Sequence, residues 1–177
     1  MNTQLLLSGL EDVVKPFRFP KTPHEYKVTA LRECPTPEAM QQCETPDKAA
    51  AYWRMHIETH PYYDPERECL VVLFLNVRKR VKGHQLLTIG LMDTMLIHAR
   101  EVFRPAISAG AHSVVLVHNH PSGDPSPSEA DIRVTRDMLR AGAMLRIEVL
   151  DHVIIGRPNA LRTKDYTSLK ELGHFYR

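Results

Sequence analysis

Apolar residues run without a break from Cys69 to Leu75, between Glu68 and Asn76. A run that is apolar on both alternating faces predicts a central strand over residues 68–76, covered on both sides. Val77 to Gly83 then carries Arg78, Lys79, Arg80 and Lys82 and reads as a basic turn, after which residues 85–90 form an antiparallel partner strand. Ser113 to Val117 is a second buried run, short enough to be a strand. Residues 145–156 supply one or two more strands, with Asp151-His152 at the break.

Between these runs the apolar period changes to that of helices. Thr45 followed by Pro46 and Asp47 has the form of an N-cap with proline at the first helical position, and Ala50, Trp53, His56 and Ile57 follow at helical spacing up to Pro61. Tyr52 and Trp53 are expected to pack in the core. Residues 95–111 predict a helix kinked or divided at Pro105. A third helix begins at Ser128, runs with Ile132, Leu139 and Met144 at core positions, and ends at about Gly142 or just beyond. Thr167 to Gly173 reads as a capped helical turn behind a loop at 157–160. Before the first helix, residues 24–31 alternate as a strand, and residues 1–23, punctuated by Pro16, Pro20 and Pro23, predict an extended or partly disordered arm. The expected organisation is that arm followed by one domain over residues 24–177.

Composition narrows the class. At 177 residues with 43% hydrophobic and 25% charged residues the chain has globular values, and no apolar stretch nears the roughly 20 residues of a membrane span. The N-terminal residues lack the basic n-region of a signal peptide, and Cys34, Cys43 and Cys69 form no Cys-x-x-Cys pair, so a cytoplasmic protein with free thiols is expected. A formal net charge of +2 signals no strong commitment to a polyanion or a membrane surface.

The chemistry lies in His118-Asn119-His120-Pro121-Ser122-Gly123-Asp124-Pro125-Ser126-Pro127-Ser128-Glu129-Ala130-Asp131. Histidines two apart at the end of a strand point to one face, where two imidazoles can share a cation. Asp131, in the first turn of the third helix, can be folded back toward them by the proline-rich loop. Two His and one Asp leave a fourth position for a reactive water, as in catalytic zinc sites. Asp124 is the competing carboxylate, but its Gly-Asp-Pro setting suits a turn, and Asn119 points to the other face of the strand. Ser128 heads a capping-box pattern with Asp131, and its hydroxyl is also compatible with oxyanion donation. Hydrolysis needs a proton carrier as well. Glu68 at the mouth of the first apolar strand is the candidate, with Glu58, Glu66 and Glu101 as rivals.

Three other readings fail on spacing. Contiguous His-Asn-His is not the dispersed residue set of an HNH nuclease. Zinc deaminases need His-x-Glu with Pro-Cys-x-x-Cys, and neither occurs. The residues after His120 also lack the Asp-His pair of metallo-β-lactamases.

His-x-His-Pro, then Ser-x-x-Asp, with an upstream Glu opening an apolar strand, resembles the JAMM (MPN-plus) zinc metalloprotease motif. Within that superfamily residues 118–131 together with Leu150-Asp151-His152-Val153-Ile154-Ile155-Gly156 resemble the bacterial RadC-like branch, most strongly over residues 68–173. The resemblance implies an α/β fold, a mixed β-sheet flanked by helices in three layers, similar in outline to cytidine deaminases. It implies one Zn2+ per chain held by His118, His120 and Asp131, with Glu68 as general acid/base and Ser128 steadying the oxyanion. A peptide or protein conjugate is the implied substrate. The second reading is a DNA-repair or recombination factor with a structural or regulatory metal, in which the basic turn and the arginines of the third helix meet nucleic acid. Residues 1–67 lack the Gly-rich hairpin signature that precedes this domain in longer RadC-like proteins.

Overall fold

The longest apolar run forms β1 (Cys69–Leu75), buried at all its positions. The computed structural model describes residues 32–90, 97–159 and 162–176; the arm at 1–23, the strand at 24–31 and the start of the helix at 95 lie outside them. β1 pairs antiparallel with β2 (Val81–Ile89) on one side and with β3 (Ser113–Asn119) on the other. β4 (Glu148–Ile155) joins β3 in parallel, and β5 (Tyr166–Ser168) closes the sheet in the order β2-β1-β3-β4-β5.

Alternation along the buried strands builds two cores. Cys69, Val71, Leu73 and Leu75 of β1, with Val115, Val117, Val153 and Ile155, pack beneath Ala49, Ala50, Tyr52 and Trp53 of α2 (Pro46–His56). Leu70, Val72 and Phe74, with Val114 and Leu116, face Val102, Phe103 and Ala106 of α3 (Ala99–Ser108) and Val134 and Met138 of α4 (Glu129–Leu145). The result is the expected mixed sheet between helical layers. A single-turn helix, α1 (Glu38–Gln41), precedes α2 and carries no hydrophobic period of its own.

Several boundaries differ from the sequence expectation. The basic turn is tighter than 77–83: Asn76 Oδ1 accepts from the N–H groups of Arg78 and Arg80 at 2.8 and 3.1 Å, and β2 already begins at Val81. Pro105 does not divide α3, which runs unbroken from Ala99 to Ser108. Its missing N–H removes the helical bond to the Glu101 carbonyl, and the helix ends three residues later. Met144 is 86% exposed and not at a core position, and α4 ends just beyond Gly142, at Leu145. That glycine is a close-approach site, since a Cβ there would lie 2.5 Å from the carbonyl oxygen of Ile147.

Residues 148–155 are one strand with an irregularity opposite Val114/Val115, so Asp151-His152 is not a break. Asp151 stays within the strand because its carboxylate accepts from the Ser168 hydroxyl at 2.7 Å and from the His152 N–H at 2.7 Å. The capped turn near the C-terminus is present, with Ser168 Oγ accepting from Glu171 N at 3.0 Å, but Tyr166–Ser168 before it pairs as a strand. Thr45 and Pro46 start α2 as expected, although the Thr45 side chain makes no capping hydrogen bond.

Candidate metal centre

The antiparallel register of β1 and β3 accounts for the first convergence. Leu70 pairs with His118, so continuing the ladder by two residues sets Glu68 opposite His120 on the face that carries His118. Glu68 Oε1 lies 3.6 Å from His118 Nε2 and 3.8 Å from His120 Nε2. The start of α4 brings the third group: Asp131 Oδ1 is 3.3 Å from His118 Nε2, and Oδ2 is 3.4 Å from His120 Nε2. The two Nε2 atoms are 3.0 Å apart. Among the described residues Glu68, His118, His120 and Asp131 are the one such group, with donor atoms all within 4.8 Å of each other.

A capping box aims the Asp131 carboxylate. Ser128 N and Ser128 Oγ both donate to Oδ2, at 2.7 and 2.6 Å, while Ser128 Oγ accepts from Asp131 N at 3.1 Å. The same three contacts cap α4, so the helix start and the site share one piece of local geometry. The negative charge also sits in the first turn, where the helix dipole favours it. Ser128 therefore reaches the site through Asp131, its hydroxyl hydrogen directed at that carboxylate.

His120 follows the strand end. Its N–H donates to the Ile155 carbonyl at 2.9 Å, and its Nδ1 meets the Asp124 carbonyl at 2.7 Å. Arg162 ties that loop down through Asp124 Oδ1 at 2.9 Å and the Gly123 carbonyl at 2.7 Å. Gly156 permits the docking, because a Cβ there would lie 2.5 Å from the Gly123 carbonyl oxygen. The Asp124 carboxylate accepts from Ser126 N and Oγ at 3.1 and 2.9 Å, which leaves it the turn role expected of it.

Two further residues, Asn119 and His152, support the cluster without a spacing signature of their own. Asn119 does leave the metal face, but its amide grips the backbone on both sides of Glu68: Oδ1 accepts from Cys69 N at 2.9 Å and Nδ2 donates to the Arg67 carbonyl at 3.1 Å. His152 lies beside His118, with 2.8 Å from His152 Nε2 to His118 Nδ1, and its own Nδ1 is 2.6 Å from Thr135 Oγ1. A histidine inside a buried apolar strand needs such a partner, and that requirement was the available signal. The rival acids lie elsewhere, Glu66 paired with Arg157 at 3.6 Å and Glu101 with Arg100 at 3.0 Å.

Electrostatics reinforce the donor set. Burial, with the neighbouring His152, holds His118 well below the ordinary histidine range, and burial brings His152 down to about 4. Both are neutral at pH 7. Burial would raise Asp131, but His120, His118 and Ser128 outweigh it and keep the carboxyl far below its usual range. At His120 burial is likewise outweighed, by Asp131, the Asp124 carbonyl and Glu68, which together raise its pKa above the ordinary histidine value. Two imidazole nitrogens crowded within 3.0 Å against a carboxylate repel unless a positive charge sits among them. The site is thus chemically suited to a cation.

Three side chains of the basic turn are drawn into contacts with this chain. Lys79 pairs with Glu148 at 3.0 Å, Arg80 with Glu38 at 3.5 Å, and Lys82 donates to the carbonyls of Ala109 and Gly110. No helix among the described residues is long and apolar enough to cross a membrane.

A mixed five-stranded sheet between helices, with this carboxylate–histidine cluster at its strand ends, defines a domain of the JAB/MPN class. The chain belongs to the family described as RadC-like JAB domain, whose family model matches residues 43–174. It is 46% identical over 106 residues to a UPF0758 protein of Chlorobaculum parvum, covering 60% of this chain and 48% of that one. It is 45% identical over 109 residues to UPF0758 protein TTE0897 of Caldanaerobacter subterraneus, covering 62% and 44%. The matched region therefore spans about half the length of these relatives.

Proposed function

We propose that this domain is a zinc-dependent peptidase or isopeptidase-like hydrolase. The observation that carries the proposal is the convergence of two histidine Nε2 atoms, the Asp131 carboxylate and the Glu68 carboxylate within 4.8 Å. His118, His120 and Asp131 would hold the ion, a nitrogen–oxygen donor set suited to zinc. Zinc, when bound, polarises a carbonyl and makes water more acidic.

The remaining work falls to the chain. Glu68 takes a proton at Oε1 from the attacking water and returns it to the leaving amine nitrogen. Asn119 holds the peptide groups flanking Glu68 and so fixes where that oxygen sits. Ser128 keeps Asp131 oriented, and in turnover its hydroxyl turns to the developing oxyanion. A peptide or protein conjugate is the proposed substrate class. The engaged side chains of the basic turn lend no corresponding support to a DNA-binding role, and the hydrolase reading is preferred.

The test is hydrolysis of a panel of peptides and isopeptide-linked conjugates by zinc-loaded protein and by Glu68→Gln. Turnover that falls about 10²- to 10⁴-fold in the variant, with zinc retained, is expected for loss of a general acid/base. Equal turnover in both proteins would remove Glu68 from the mechanism.

A further inference from the structure

We infer that Thr135 and His152 form a proton-ordering relay that fixes His118 in the one neutral tautomer able to offer Nε2 to a metal. The inference rests on the metal reading above and concerns how this chain prepares its own ligand.

The order of protons follows from the fixed end of the relay. Thr135 Oγ1 lies 2.6 Å from the Asp131 backbone carbonyl, one helical turn earlier in α4. A carbonyl can only accept, so the single hydroxyl hydrogen points there. The 2.6 Å contact between Thr135 Oγ1 and His152 Nδ1 must then be donated by the imidazole. A neutral imidazole carries one N–H, which leaves His152 Nε2 bare. That atom faces His118 Nδ1 at 2.8 Å, so His118 Nδ1 is the donor and His118 Nε2 is the bare nitrogen. It is the nitrogen 3.0 Å from His120 Nε2 and 3.3 Å from Asp131 Oδ1.

Burial makes the chain of bonds compulsory. Thr135, His152 and His118 are each 0% exposed, so bulk water cannot replace a missing link. The register of β3 and β4 supplies the contact, since Leu116 pairs with His152 and the two histidines project to the same core from adjacent strands. Without the hydroxyl, His152 is free to carry its proton on Nε2. That form donates to His118 Nδ1, drives the His118 proton onto Nε2 and blocks the ligand atom. Asp131 thus acts twice, with its carboxylate at the cluster and its carbonyl as the relay's anchor. Thr135 and His152 are positioning residues.

The test uses the full chain with 15N-labelled histidine, metal-free for imidazole tautomers by long-range 1H–15N correlation, and then titrated with zinc against a chromophoric chelator. Wild type should show Nδ1–H forms of both His118 and His152. Thr135→Val, which keeps the shape and deletes the hydroxyl, should bind zinc about 10- to 100-fold more weakly and populate the Nε2–H form of His152. Thr135→Ser should restore both readouts. A Thr135→Val protein that binds zinc as tightly as wild type would overturn the relay. So would metal-free wild type with His152 protonated at Nε2, a result that needs no variant to fold. Wild type with both expected tautomers but no zinc uptake would instead overturn the metal reading beneath the relay.

Discussion

His118 and His120 are the same residue type, two positions apart, with Nε2 atoms 3.0 Å from each other, yet the molecule holds them by opposite means. The His118 side chain is 0% exposed and its second nitrogen is met by a side chain, His152, itself tied to α4 through Thr135. His120 is 16% exposed, and its second nitrogen is met by a backbone carbonyl in a loop pinned by Arg162. One proposed ligand belongs to the core and the other to the rim. A site built this way combines a fixed donor with one that the loop positions, and the two sides should respond differently to mutation.

The largest expected difference is in stability. His118→Ala leaves a cavity and an unpartnered His152 Nε2, and should lower the stability of the metal-free protein by on the order of 3 kcal/mol in denaturant unfolding. His120→Ala should cost less than about 1 kcal/mol, although both variants lose stoichiometric metal. Equal losses of stability would erase the distinction between core and rim.

Asn119→Ala comes next. Orphaning Cys69 N–H and the Arg67 carbonyl should cost about 1–3 kcal/mol, and steady-state kinetics should show kcat falling far more than zinc affinity. If zinc affinity fell as far as kcat, the clamp would be serving the ligands rather than Glu68. Arg162→Ala loosens only the rim. Zinc affinity is expected to fall by less than about 10-fold, below the usual loss for a buried supporting residue.

A separate effect, set by pH, concerns His84, away from the metal, whose Nδ1 lies 2.9 Å from Tyr52 Oη and whose pKa burial lowers to about 4. Between about pH 6.5 and 4 the unfolded chain takes up a proton there that the folded chain refuses, so stability falls as pH falls through that window. Below it both states are protonated and the loss levels off. His84→Gln should make the pH dependence of stability shallower between those limits, and an unchanged slope would assign it to other groups.

How much of this was legible in the sequence depended on whether the information was local. β1, β3 and α4 declared themselves through uninterrupted or periodic apolar positions, and His118, His120 and Asp131 through spacing on a strand and a helix start. The capping box told of both Ser128 and Asp131. Bringing Glu68 opposite His120 needed the register of two strands separated by fifty residues, which spacing alone could only nominate and family resemblance singled out. Asn119 was legible as leaving the metal face, but its grip on residues 67 and 69 belongs to that same register. His152 was hidden because an Asp-His pair inside an apolar run resembles an interruption. The Asp151 contacts with Ser168 and with the His152 N–H turn it into continuous strand. Met144 shows the converse error, an apolar residue at helical spacing read as core that lies exposed in the last turn of α4.

Everything above depends on Glu68, His118, His120 and Asp131 surrounding a metal ion. The most direct test of that is the metal content of protein purified without chelator, measured by mass spectrometry against protein concentration, for wild type and His118→Ala. One zinc ion per wild-type chain, lost in the variant, is the expected result. Wild-type protein that neither retains zinc nor takes it up to stoichiometry when it is supplied would contradict the account.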